Sequence, residues 1–342
     1  MSLGTDTIGF PLRGRTVRKR VSQVLLLLFL SGSLTYFSLR LYVCEPPATD
    51  AKIVQSRQTP EDNWIYDMHR LSDTISQKSQ GAQDDYLKLI FEKIGTTNRF
   101  FVEFGFNEPS YTSGGSGANT WSLHDAGWRG LLLDGNRENT AINLHAHFLF
   151  QDNIAQVLNK YEVPLELDYL SCDMDSHDLF VLKAILEAGF KPRVITTEYN
   201  ANYPLDISIT QIDPTLDSKL SAGFKFEFKE CAWGASASAL RSVASQFGYV
   251  LVGRIEYLDL VWLRADLIDQ DWKLPEFKWF FHDAHRLGQL FHQPQVSDDI
   301  YKYIIDYESF KLNGDLDKAK ASAKKLIERA KLPCFSKTLP QE

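Results

Sequence analysis

From residue 84 onward the chain alternates between two hydrophobic patterns. Short apolar runs of the kind that form strands buried on both faces are separated by stretches whose apolar positions recur every three to four residues, as on one face of a helix. The pattern predicts a helix over 84–94, a strand over 99–105, a helix over 119–126 and a strand over 130–133. A helix over 138–147, a short strand over 148–150, a helix over 154–161 and a strand over 167–172 follow. The series continues with a helix over 179–188, a strand over 193–199, a helix over 235–247 and two short strands over 249–252 and 259–262. Such alternation is the signature of an open parallel sheet covered by helices. The last two strands, joined by Gly253-Arg-Ile-Glu-Tyr-Leu258, have the spacing of an antiparallel pair, so a mixed sheet of about seven strands is expected.

Residues 21–43 follow neither pattern. Val24 to Leu39 is uninterrupted by charge, and Leu41 to Val43 prolongs it past Arg40. As a helix the whole segment would span roughly 34 Å, which predicts a single transmembrane pass. A signal peptide has the same outline, but the segment stands in a chain that begins at Met1 and reads as a retained anchor. Arg13, Arg15, Arg18, Lys19 and Arg20 precede it, whereas Glu45 and Asp50 follow, so the N-terminus is expected on the matrix or cytosolic side.

The Arg, Ser and Thr bias of the first twenty residues and the absence of an Asn-x-Ser/Thr acceptor favour the mitochondrial inner membrane, with an ER or Golgi membrane and a lumenal domain as the alternative. The expected organisation is a basic tail (1–20), a membrane helix (21–43), a polar stalk or strap (44–80), a folded domain (81–267) and a helical extension (268–342). Within the extension, 318–331 reads as a basic amphipathic helix whose Ala319, Ala323, Leu326, Ile327 and Ala330 dock on its own domain or on a partner. Trp272 and Trp279-Phe-Phe281 are aromatics suited to packing or docking.

The net charge of −7, without a basic groove interleaved with aromatics, argues against a nucleic-acid partner. Cys44, Cys172, Cys231 and Cys334 lack metal-ligand spacing, and Cys172 falls inside a predicted strand as a buried thiol.

Polar groups collect where the predicted strands end. The first strand leads through Glu103 to Gly105, where a missing side chain permits close backbone approach, and the second ends at Asp134, suited to accept from ribose hydroxyls. The fourth ends in Asp173-Met-Asp-Ser-His-Asp178 and the fifth in Glu198, Tyr199 and Asn200, which serve a substrate or the turn before Asn202-Tyr-Pro204. Together these residues mark the crevice of a doubly wound sheet. A dinucleotide dehydrogenase would carry a compact Gly-x-Gly-x-x-Gly turn, whereas here Phe106 follows Gly105 and the next glycine is Gly114.

Taken in order, Val102-Glu-Phe-Gly105, Asn119-Thr120, Gly127-Trp-Arg-Gly130, Leu133-Asp134, Asp152-Asn-Ile154, Leu170 to Asp178, Thr197-Glu-Tyr-Asn200 and Trp233-Gly-Ala-Ser236 resemble the FkbM-like branch of class I S-adenosylmethionine-dependent methyltransferases. The match covers about residues 84–267 and implies a Rossmann-like class I methyltransferase fold, with methyl transfer to a hydroxyl of a small substrate. It implies cofactor contacts at Glu103, Gly105, Asn107, Asn119, Asp134 and Asp173, with Asp173 and Asp175 beside the transferable methyl.

Asp175 or His177 is the candidate base, and Asp173 orients the cofactor or a substrate hydroxyl. Glu198, Tyr199, Asn200 and Trp233 are substrate candidates, with a helix cap as the other reading of the Trp233 segment. Asp173, Asp175, His177 and Asp178 are oxygen-rich enough for a divalent metal, but no further ligand is identifiable and no metal is assigned.

Two departures stand out: Phe106 to Thr112 replaces the small glycine-rich loop, and Ser176 replaces a glycine. They leave open a catalytically inactive accessory subunit of a membrane complex as the alternative role.

Overall fold

The computed structural model describes residues 63–68, 71, 78–111, 118–219, 233–269, 272–281 and 301–330. The chain divides into two units, 1–55 and 56–342, and every described residue lies in the second.

A seven-stranded sheet is built from β1 (Phe100–Phe104), β2 (Arg129–Asp134), β3 (Leu144–Ala146), β4 (Tyr169–Cys172), β5 (Val194–Glu198), β7 (Tyr249–Ile255) and β8 (Asp259–Arg264), in the order β3-β2-β1-β4-β5-β8-β7. All neighbours are parallel except β8, which runs antiparallel to both β5 and β7. Every residue of β1 and β4 is buried, as continuous apolar runs require when helices cover both faces. The helices on the sheet include α2 (Gln83–Ile94), α3 (Trp121–Asp125), α4 (Ile154–Lys160), α5 (Asp178–Glu187) and α6 (Ala237–Gln246). Six apolar side chains of α5 are buried, from Leu179 to Leu186.

The predicted helix over 138–147 does not form. Asn139 accepts from the Ala141 amide, Asn143 takes a left-handed φ of 55°, and Glu138 accepts from the Ala146 amide. Local side-chain bonds of this sort compete with a helical backbone. A short 3-10 turn at Thr140–Ile142 results, and the third strand lies at 144–146 rather than 148–150.

Near the C-terminus the chain returns to the domain. The short strand β9 (Ile304–Asp306) pairs antiparallel with β6 (Ile209–Gln211), and α7 (Tyr307–Asn313) and α8 (Leu316–Ala330) follow. Ala319, Ala323 and Ile327 are the buried residues of α8, while Lys318 stays in solvent. Trp272 packs edge-on to Trp64 and Trp279 to Tyr66 of α1 (Trp64–Met68), and Phe280 and Phe281 are buried. These aromatics therefore serve the domain's own core.

The membrane reading is corrected. No described helix is long and apolar enough to cross a membrane. Even α8 has 15 residues and is lined with lysines, against about 20 apolar residues needed for a bilayer. Residues 21–43, where the span was expected, lie outside the described residues. The transmembrane part of the fold class, the lipid bilayer as partner, the single-pass topology in a mitochondrial or ER/Golgi membrane, and the membrane-anchored and membrane-complex roles are accordingly set aside.

The amino-terminal edge of the sheet is closed by Asp168, which is fully buried. Its carboxylate accepts from the backbone amides of Thr97 (2.9 Å), Asn98 (3.0 Å) and Arg99 (2.7 Å), from the Thr97 hydroxyl (2.9 Å) and from Arg193 (3.1 Å). Arg193 in turn donates to the carbonyls of Ile94 (2.7 Å) and Gly95 (3.0 Å) at the end of α2. One ion pair thus joins α2 to the entries of β1, β4 and β5. Asp168→Ala would leave a buried guanidinium and three amides without their acceptor, and should cost about 3–5 kcal/mol. Denaturant unfolding measures this; a loss below about 1 kcal/mol would show that the clamp is dispensable.

Candidate functional site

At the opposite edge, β1 and β4 leave the sheet in contact. Gly105 has φ +74°, and a Cβ there would sit 2.1 Å from the Asp173 carbonyl oxygen. No side chain fits, so the glycine is required for the two strand exits to meet. Beside this contact opens a cavity of about 900 Å³ bordered by Gly105, Asn107, Asp134, Phe148, Asp175 and His177, among others.

Each of these is held by its own local chemistry. Asp134 ends β2, and its Oδ1 accepts from the amides of Asn136 (2.8 Å) and Arg137 (2.9 Å), leaving Oδ2 for a ligand. Phe148 is 56% exposed at the cavity and lies over Gly135. Asp175 adopts a left-handed φ of 63°, rare for a residue with a side chain. That turn is held by Asp178, which accepts from the amides of Met174 (2.6 Å) and Ser176 (3.0 Å).

His177 is fixed at both nitrogens. Nε2 lies 2.8 Å from the Leu149 carbonyl, so it must carry the proton, which leaves Nδ1 as an acceptor 2.9 Å from the Ser176 hydroxyl, a group that also lies 3.2 Å from the Met174 carbonyl. Burial, its largest influence, holds its pKa below the usual value and keeps the ring neutral. The ring stacks on Phe150 at 5.3 Å.

Glu103 does not border the cavity. It is fully buried, and its carboxylate accepts from the amides of Asn119 (2.8 Å) and Thr120 (2.9 Å) and from the Thr120 hydroxyl. It therefore anchors the return of the loop into α3. Asn119 is buried beside it and donates to Ser171. Phe106, which replaces the expected small residue, is fully buried edge-on to Tyr111 at 5.1 Å and does not border the cavity. Residues 112–117 of the same loop lie outside the described residues.

The strand ends also bring together Asp173, Asp175 and Glu198, with one oxygen from each within 4.8 Å of the others. Burial first, then repulsion from a neighbouring carboxylate (Asp175 on Asp173, Asp178 on Asp175), pushes the two aspartates up to about 7, and burial with repulsion from both of them raises Glu198 well above its ordinary value. Asp259 of β8, directly opposite Glu198 in the register, is raised in the same way.

The remaining candidates serve the interior. Tyr199 is buried against Phe281, and Asn200 donates to the Trp233 carbonyl (2.9 Å) and accepts from the Asn202 amide (2.9 Å). Trp233 is buried, and none of the three borders the cavity.

Sequence reasoning missed Phe148, which it read as part of a strand, and Thr215. Thr215 is set at the cavity by buried Asp213, which accepts from the amides of Thr215 and Gln151 (both 2.8 Å). The Asp213-Pro-Thr215 turn sequence was the available signal. Asp259 was also legible, as an acid opening the apolar run Leu260 to Leu263.

The strand order resembles the generic Rossmann-like class I methyltransferase topology. No protein-family model matches the chain, and no curated protein matches it significantly.

The buried carboxyls make stability depend on pH. Burial pushes Glu103 up to about 8 against its three donors, and Asp178 up to about 7. The folded chain therefore keeps these protons to higher pH than the unfolded chain, whose carboxyls titrate at about 4. That stabilisation is fully present below about pH 4 and is lost as pH rises through about 7 to 8. Denaturant midpoints should fall between pH 5 and pH 8, and Glu103→Gln should flatten part of the slope; a midpoint that rises with pH would contradict this assignment.

Proposed function

We propose that the chain is an S-adenosylmethionine-dependent methyltransferase of the FkbM-like branch, acting on a hydroxyl of a small polar acceptor. The observation that supports it best is the convergence of Gly105, Asp134 and Asp175 on one cavity at the carboxyl ends of β1, β2 and β4. Ligands of doubly wound sheets bind at that edge. The branch is supported by the ordered motifs from Val102 to Ser236 that ride on these strands.

The residues present suit the cofactor. Asp134 Oδ2 is free to accept from ribose hydroxyls, Phe148 offers an exposed aromatic face to a base, and the side-chain-free backbone at Gly105 admits close approach. Asn107 adds a polar group at the same rim. When bound, the cofactor supplies an electrophilic methyl group.

The chain's part is to position the acceptor and take up its proton. Asp175 suits the second task, since it borders the cavity and its carboxyl is pushed up to about 7 by burial. His177 commits its Nε2–H to the Leu149 carbonyl and sets Nδ1 against the Ser176 hydroxyl, so its role is to hold the 174–177 turn on Leu149. Glu103 acts one step further back by fixing the loop into α3.

Calorimetric titration of the chain with S-adenosylhomocysteine tests the reading. Binding should weaken about 10- to 100-fold in Asp134→Ala, the loss of one or two charge-assisted hydrogen bonds, and about tenfold in Phe148→Ala. A folded chain that binds neither this ligand nor S-adenosylmethionine would refute it.

A further inference from the structure

The buried and half-buried carboxylates at the ends of these strands and turns differ in how they are satisfied. Asp168, Glu103, Asp178 and Asp213 each accept from at least two N–H or O–H donors of the chain. Asp173, Asp175 and Glu198 stand apart. No N–H or O–H group of the described residues donates to them, and no lysine or arginine among those residues forms an ion pair with them. One Glu198 carboxyl oxygen instead lies within 4.8 Å of an oxygen of each aspartate, and its Oε2 is shielded from solvent without any hydrogen-bond partner. Asp259, across the strand pair, adds further negative charge.

Like charges this close in a half-buried place are unfavourable unless something positive lies among them. We infer that Asp173, Asp175 and Glu198 bind one hard divalent cation, such as Mg²⁺, Mn²⁺ or Ca²⁺, at the edge of the cavity. Oxygens around one such ion lie about 2.0–2.6 Å from it and therefore within about 5 Å of each other, which the 4.8 Å spacing meets. A purely carboxylate set selects hard cations over zinc or copper, which prefer imidazole and thiolate.

The ligands come from the exits of adjacent strands β4 and β5, which are joined by parallel pairing. The site is therefore set by the sheet: within the fourth-strand segment Asp178 and His177 are engaged by the backbone, and the third ligand comes from β5. Asp175 borders the cavity as well, so the ion would stand where an acceptor oxygen could complete its coordination; with the ion bound, Asp175 would act as its ligand, and lowering the acceptor's proton affinity would fall to the ion instead of to a free Asp175 carboxylate. That use rests on the methyltransferase reading; cation binding itself does not.

The test is a titration of chelator-treated full chain with Mn²⁺, followed by calorimetry and by the electron paramagnetic signal of the free ion. Mg²⁺ and Ca²⁺ serve as competitors, and S-adenosylhomocysteine is titrated in parallel on the same samples. One Mn²⁺ per chain is expected, displaced by Mg²⁺ or Ca²⁺ and weakened about tenfold or more in both Glu198→Gln and Asp175→Asn. Glu198→Gln should retain S-adenosylhomocysteine binding, which separates loss of the ion from loss of the fold. Two results overturn the inference: no Mn²⁺ bound by wild-type chain that still binds S-adenosylhomocysteine, or Mn²⁺ binding unchanged in both variants. Mn²⁺ binding that is lost in the variants, in a chain that ignores S-adenosylhomocysteine, would support the cation site while removing the methyltransferase reading.

Discussion

A buried carboxylate is stable only when its lone pairs are met, and the ion pair between Asp168 and Arg193 meets that demand at the root of the sheet. Five groups converge on Asp168, and Arg193 extends the network to the last carbonyls of α2. The entries of β1, β4 and β5 are thereby held in one arrangement. Charge buried in this way adds little net stability over a well-packed apolar group, but removing one partner is costly, so its main effect is to specify which arrangement forms. The parallel register that follows from it carries Gly105, Asp173 and Glu198 to the far edge together.

Much of this was legible along the chain. Runs such as Phe100 to Phe104 and Leu131 to Leu133 can be satisfied only between two layers, and helical periods between them leave few other architectures. The antiparallel pair at the end was readable from its short connection. What failed was the stretch from 138 to 147, where apolar spacing suggested a helix but Asn139, Asn143 and Glu138 bond to nearby backbone instead. The pairing of β6 with β9 had no local signal either, since each is three residues long and its partner lies far along the chain.

The site was legible to a different degree. Gly105, Asn107, Asp134, Asp175 and His177 reach the cavity because strand ends in a parallel sheet share an edge. Tyr199 and Asn200 end the same kind of strand, yet the interior uses them, one in an aromatic contact and the other in a turn. Which way a polar group faces after the last strand residue depends on the following backbone, and sequence spacing carries little of that. Glu198 illustrates the converse, because its neighbours come from a strand some two dozen residues earlier.

The pairing of β9 with β6 bears on the order in which the molecule is assembled. The β6 strand runs directly into Asp213 and Thr215 at the cavity rim, and the Ile212 amide donates to the carbonyl of Tyr303 at 2.7 Å. Ile304 and Ile327 close the small apolar cluster behind that rim. During synthesis the central strands emerge and can pair long before residues 301–330 exist, so the rim waits for that later segment. A ribosome-bound fragment would thus own the sheet and most of the cavity's lining while lacking the buttress behind one wall, and ligand capture would mark the arrival of residues 301–330 rather than formation of the core.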